Sequence, residues 1–138
     1  MKVITDNRPS VLVIVPVFDM EDHLDNCVRS ILEQTFSSFQ IIFINDGSRD
    51  DSERVIDKYV EKYPDKCMKV NKQNGGLASA LNKGLEYVTG KYLTFIDADD
   101  YIDRHYLKKL FEKAESKNYQ VVISGQHKIT STQWFLPW

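Results

Sequence analysis

The sequence has no apolar run long enough to cross a bilayer: the longest, Val11 to Phe18, is too short and carries Pro16. Its polar N-terminus lacks the apolar core of a signal peptide, so an intracellular, cytoplasmic protein is expected. No basic block is present. Lysine and arginine total 18 against 20 acidic residues, a net charge of -2, which argues against a nucleic-acid or membrane-surface partner. Cysteine is scarce: Cys27 falls at an apolar position of a predicted helix and Cys67 beside a predicted strand, which reads as two buried free thiols rather than a disulfide. Repeats, linkers and low-complexity stretches are missing, and 138 residues suffice for one domain. Neither a P-loop nor the Gly-x-Gly-x-x-Gly dinucleotide fingerprint occurs, and His23, His105 and His127 have no spacing that pairs them as metal ligands.

What the chain does have is alternation. Apolar runs of strand length at Val11–Val17, Ile41–Ile44, Met68–Val70, Tyr92–Ile96 and Val121–Ser124 are separated by segments of helical period. The helices are expected at 21–34, from Asp51 or Ser52 to Tyr63, at 77–88 and at 103–116, with Asp51 or Ser52 capping the second and Asp100 or Asp103 the fourth. This order implies an α/β protein: a Rossmann-like three-layer α/β/α sandwich with a mainly parallel sheet and right-handed crossovers. Ligands of such sheets bind at the carboxyl ends of the strands, near the switch in strand order.

Every polar constellation of the sequence falls at one of those ends. After the fourth strand, Asp97, Asp99 and Asp100 place three carboxylates within four residues. At ~4 Å and an effective dielectric of about 20, each like-charge pair costs roughly 4 kcal/mol, so the cluster calls for a cation. Oxygen-only ligands suit Mg2+ or Mn2+, commonly shared with substrate phosphates; a solvated, helix-capping turn is the plainer alternative. After the first strand, Pro16 and Val17 lead to Phe18, an apolar wall suited to a planar base, and to Asp19 and Glu21, which can also cap the next helix. After the second, Asp46 can accept a hydrogen bond from the imide N–H of uracil, or form an Asx turn with Gly47. After the third, Lys72-Gln73-Asn74-Gly75-Gly76 precedes a helix whose N-terminal amides can help hold an anion.

Taken in order, Val15-Pro16-Val17-Phe18, Asn45-Asp46-Gly47-Ser48 with Asp51-Ser52, Asn74-Gly75-Gly76 with Asn82-Lys83-Gly84, and Gly90-Lys91-Tyr92 leading to Phe95-Ile96-Asp97-Ala98-Asp99-Asp100 resemble the nucleotide-binding half of the family 2 glycosyltransferases, inverting enzymes of the GT-A fold. The resemblance covers residues 10–125, leaving 1–9 as an N-terminal extension and 126–138 as a tail. It implies transfer of a sugar from a nucleotide diphosphate sugar, a UDP-sugar first of all, to a saccharide or lipid-linked acceptor, in cell-surface polysaccharide synthesis at the inner face of the membrane. Asp46 would read the base in a pocket lined by Pro16 to Phe18, with Asp19, Glu21 and Gly75 close by. Asp97 and Ala98 would lie near the ribose and metal waters, and Asp99 would ligate the divalent ion. Asp100 would support the turn or the acceptor side.

The sequence departs from that family in two places. Asp19 stands where Asn is usual, and Leu81 where a basic residue is frequent; Lys72, Lys83 and Arg49 are the cations available to compensate. The family's catalytic base follows the metal motif at a distance, so it is expected outside this chain. The aromatic tail Trp134-Phe135-Leu136-Pro137-Trp138 and an unprotected sheet edge both fit a packing partner, a homodimer included. Two other readings compete: a noncatalytic nucleotide-binding remnant, and a phosphotransfer domain, which would want its key Asp after the first or middle strand rather than the fourth.

Overall fold

The computed structural model describes residues 8–126. Its elements run β1 (Val11–Val17), α1 (Leu24–Leu32), β2 (Phe39–Asn45), α2 (Ser52–Lys62), β3 (Cys67–Asn71), α3 (Leu77–Leu85), β4 (Tyr92–Phe95) and α4 (Tyr106–Ser116). The strands form one parallel sheet in the order β3-β2-β1-β4.

Burial explains the middle of that order. Every residue of β1 is buried, and only Gln40 of β2 is not, so both strands can be apolar at successive positions instead of alternating. Register places Val11 opposite Phe39 and Tyr92, and Ile14 opposite Ile42 and Phe95. Pro16 fits inside β1 because β4 stops pairing at Phe95, opposite Ile14. The carbonyl of Ile14 faces β4, accepting from Ile96 N at 3.1 Å, and the backbone of Pro16, two residues on, faces the same way. The donor that proline lacks would have met no strand.

The chain moves one way from β1 through β2 to β3, then jumps back across β1 to β4. Right-handed crossovers therefore put the helix of the reversed step on the opposite face. Accordingly, α1, α2 and α4 cover one face through Leu24, Cys27, Val28, Ile31, Ile56, Tyr59 and Leu107. α3 covers the other, with Ala80 packed among Leu12, Ile14, Ile42 and Ile44. That face is only partly covered: Leu93 and Phe95 of β4 remain 37% and 41% exposed. α3 lies so close to β1 that a Cβ at Gly84 would come within 2.5 Å of Ile14 Cγ2.

Two sequence expectations fail. The fifth strand at 121–124 does not form: after Asn118, whose φ of 55° ends α4, residues 121–126 carry no strand, and Val121 and Ile123 are 76% and 88% exposed. Apolar residues supply propensity, but a strand exists only where a neighbouring ladder satisfies its backbone. The caps also differ. Neither Asp51 nor His105, the residues preceding α2 and α4, makes a side-chain cap bond. Instead Asp50 Oδ1 accepts from Ser52 N at 2.9 Å, and Gln34 Oε1, just past the end of α1, accepts from Leu107 N at 2.9 Å. Asp103 accepts from His105 N at 3.0 Å, a local bond at the turn into α4. Cys27 and Cys67 are buried free thiols as expected, while His127 and the aromatic tail lie outside the described residues.

Gly84→Ala should force α3 off the sheet and lower unfolding free energy by about 1–3 kcal/mol. Urea denaturation of the variant reads this directly, and an unchanged midpoint would show that the α3–β1 approach is not tight.

Candidate active site

Four loops meet at the carboxyl edge of the sheet, and they divide into two groups by how their charges are compensated. The loops after β1, β2 and β3 are tied together. Asp46 is buried, with 3% of its surface exposed, and its N–H donates to Val17 O at 2.9 Å. Its carboxylate accepts from Lys72 Nζ at 2.5 Å and Gly75 N at 3.0 Å on one oxygen, and from Gly76 N at 2.9 Å and Asn74 Nδ2 at 3.4 Å on the other. These bonds take up the acceptor sites of a carboxylate. Burial alone would raise this carboxyl, but the bonds from Lys72, Gly75 and Gly76 outweigh it and hold Asp46 below its usual 3.8. Gly47 permits the approach: its φ is 73°, and a Cβ there would sit 2.9 Å from Asn74 N.

The first loop clasps the second. Asp19, at φ 51°, accepts from Arg49 N at 2.7 Å and forms an ion pair with Arg49 Nη2 at 2.6 Å. Arg49 in turn lies 5.2 Å from the centroid of the half-exposed Phe18 ring. Bonds from the Arg49 backbone and side chain hold the Asp19 carboxyl below its ordinary value. Glu21 does not cap α1. It accepts from Asp51 N at 2.9 Å, while Glu21 N donates to Asp50 Oδ2 at 3.1 Å. Met20 N and Asp19 N donate to the hydroxyls of Ser52 and Ser48. The three cations expected to compensate the departures are thus committed: Arg49 to Asp19, Lys72 to Asp46 and Lys83 to Glu86.

The loop after β4 is different. Asp97, Asp99 and Asp100 are exposed, with carboxylate oxygens within 4.8 Å of one another, and no ion pair to any of them occurs among the described residues. Burial, then the charges of Asp99 and Asp97, push the Asp100 carboxyl above its usual value. Asp100 N closes the turn on Asp97 O at 3.0 Å. Between the carboxylates, the methyl of Ala98 points into the core beside Ile96, so Ala98 offers the edge only backbone. The turn is anchored from α1 by contacts the sequence does not show. Cys27 Sγ lies 3.5 Å from Asp97 O, and Ser30 Oγ accepts from Ile102 N at 3.1 Å. Burial, reinforced by the three aspartates, pushes the Cys27 thiol up to about 12, so it is an inert packing group. Helical spacing placed Cys27 and Ser30 on α1, but only the packing of α1 under β4 shows what they hold.

Strand order reverses between β1 and β4, so the acidic turn stands at the switch point where α/β sheets take ligands. Likeness to solved structures puts this sheet and its edge in the GT-A class of fold. Two solved chains share the fold: Staphylococcus aureus TarS 1-349 in complex with UDP-GlcNAc (TM-score 0.71, 27% identity, 79% of this chain and 32% of that one) and the mannosyltransferase PcManGT of Pyrobaculum calidifontis in complex with GDP-Man and Mn2+ (TM-score 0.72, 26% identity, 78% and 32%). A family model described as glycosyl transferase family 2 matches residues 12–138. The chain belongs to that family. Among curated relatives it is 35% identical over 123 residues to the uncharacterized glycosyltransferase EpsJ of Bacillus subtilis, covering 89% of this chain and 36% of EpsJ. The chain thus spans about a third of the length of each of these proteins.

Because the Asp46 carboxyl is depressed, its stabilisation is complete above the unfolded value of 3.8 and is lost as pH falls below it. Asp46→Asn leaves the Lys72 ammonium uncompensated and should cost about 3 kcal/mol at neutral pH. It should also flatten the acid arm of a plot of urea midpoint against pH; an unaltered acid arm would remove Asp46 as its source.

Proposed function

We propose that residues 10–125 bind the donor of a glycosyl transfer, a nucleotide diphosphate sugar and specifically a UDP-sugar, for transfer with inversion to a saccharide or lipid-linked acceptor in cell-surface polysaccharide synthesis. The observation that carries this reading is the uncompensated acidic turn at the switch point, on an edge where Asp19, Glu21, Asp46 and Asp50 each accept from a neighbouring loop.

The donor set fits a hard divalent ion, Mn2+ or Mg2+: three exposed carboxylates, no nitrogen or sulfur ligand, and oxygens close enough to share one cation. In this reading Asp99 ligates the ion, Asp97 orders its waters and the ribose, and Asp100 supports the turn. Bound there, the ion would neutralise charge on the departing diphosphate as a Lewis acid. Phe18, 37% exposed, lends the base an apolar wall, with the Pro16–Val17 backbone beneath. Asp46 reads the imide N–H of uracil, and since its oxygens are engaged, the base must displace the weakest contact, the 3.4 Å bond from Asn74. Asp19 adds no free charge to the pocket because Arg49 neutralises it. Gly75 donates its amide to Asp46 at 3.0 Å, and a Cβ there would crowd Ser79 Oγ at 2.7 Å and Lys72 Nζ at 3.0 Å. The hexosyl specificity and the base that activates the acceptor are assigned to no described residue. No helix among the described residues is long and apolar enough to cross a membrane, and work at the cytoplasmic face remains part of this proposal.

Neighbour chemistry supports the donor class: TarS 1-349 is solved with UDP-GlcNAc and PcManGT with GDP-Man and Mn2+. The test is isothermal titration of UDP with Mn2+ and with EDTA. Binding is expected only with the metal and should weaken at least about tenfold in Asp99→Ala, the loss of one charged contact. Metal-independent binding, or binding indifferent to Asp99, would overturn the assignment. Replacing UDP by CDP, which lacks the imide donor, should weaken binding by a similar factor if Asp46 reads the base.

A further inference from the structure

A cleft of about 560 Å³ opens between α1 and α2, runs from Asp25 to the amino end of β2, and takes no residue from the acidic turn or from the loops after β1, β2 and β3. It reaches Phe39, the first residue of β2, whereas the donor edge begins at Asn45, the last. These are the two ends of the seven-residue strand, about 20 Å apart. The lining carries four cations, Arg29, Lys58, Lys62 and Lys66, against two carboxylates, Asp25 and Glu33, in a chain whose net charge is -2. Asp25 is already consumed, accepting from Tyr59 OH at 2.6 Å and pairing with Lys58 at 3.5 Å. Arg29, Lys62 and Lys66 form no close ion pair with a carboxylate among the described residues, Arg29 acting on Asp25 only through its charge, and Glu33 pairs with none of them.

Lys66 is the most telling. Its half-buried ammonium donates only to the backbone carbonyls of Ser37 and Phe39 and sits 4.2 Å from the centroid of the Phe39 ring. Desolvation, with no counter-ion to offset it, pulls this lysine below its ordinary value. A cation held at the mouth of a cleft by dipoles alone is stabilised when an anion arrives. The lining is aromatic: Phe36, tilted against Phe111 with ring centroids 4.8 Å apart, and Tyr63, stacked at 6.5 Å on Tyr59. A cationic rim with an aromatic lining matches a ligand with a compact anion and an apolar or planar body.

We propose that the α1–α2 cleft is a second binding site, for a phosphate-bearing ligand whose phosphate is held by Arg29, Lys62 and Lys66 and whose remainder lies against Phe36 and Tyr63. It is independent of the donor site, using no residue of the acidic turn or of the loops after β1, β2 and β3. The phosphate can belong to a soluble phosphate ester or to a lipid headgroup, and the test separates these sources.

The 138-residue chain, with EDTA present to silence the acidic turn, is titrated with inorganic pyrophosphate and followed by amide NMR shifts. In parallel it is sedimented with phosphatidylglycerol vesicles, phosphatidylcholine vesicles serving as control. Saturable shifts at Tyr63 and Lys66, about tenfold weaker in Arg29→Gln/Lys62→Gln and unchanged in Asp99→Ala, support the site with a soluble ligand. Sedimentation with phosphatidylglycerol alone, lost in the same double variant, supports it with a lipid source. Both substituted side chains are exposed, so the variant should keep its thermal midpoint. Absence of binding in both arms, or binding that the double variant retains, overturns the proposal.

Discussion

The parallel ladders that β1 makes on both of its edges govern where everything else can go. A strand paired on each side and buried along its whole length must be apolar at successive positions, and Val11–Val17 is. Because β2 takes one edge and β4 the other, the chain has to reverse direction across β1. The reversal does two things at once. It sends α3 to the opposite face from α1, α2 and α4, and it opens the gap between β1 and β4 where the acidic turn projects. Gly84 belongs to the same constraint, since α3 can complete its face only by lying against Ile14.

Electrostatics then sorts the carboxylates of the edge. Asp19, Glu21, Asp46 and Asp50 each accept from a neighbouring loop, and the lowered values of Asp19, Asp46 and Asp50 express that compensation. Together they weld three loops into one wall. Asp97, Asp99 and Asp100 receive nothing comparable, and the raised value of Asp100 reflects its burial first and then the charges of Asp99 and Asp97. Negative charge left uncompensated beside a rigid, internally satisfied wall is an arrangement a cation and its phosphates can complete.

Much of this was legible in the sequence. Strand and helix order followed from apolar run length and helical period, and the acidic turn from its charge density alone. Family membership rested on the order of motifs that are each modest, such as Asn74-Gly75-Gly76. What was misjudged shares a cause. The fifth strand at 121–124 had composition without a ladder; Asp51 had the right type and place for a cap, but Asp50 had the geometry; Arg49, Lys72 and Lys83 looked free because a sequence does not show which partner a charge has found. Local preference is readable from local residues, whereas satisfaction of a polar group depends on whatever packs against it.

The amino-acid sequence by itself determined the class of fold, the edge on which its polar loops gather, and the acidic turn, because apolar period and charge density are properties of neighbouring residues. Only the tertiary structure decided that Asp46 is a latch between loops, that α1 supports the turn through Cys27 and Ser30, and that Arg29, Lys58, Lys62 and Lys66 share one cleft. Those four cations are spread over 38 residues of a chain with no basic block. Helix packing brings them together across α1 and α2, and a field made by distant residues exists only once the backbone has folded between them.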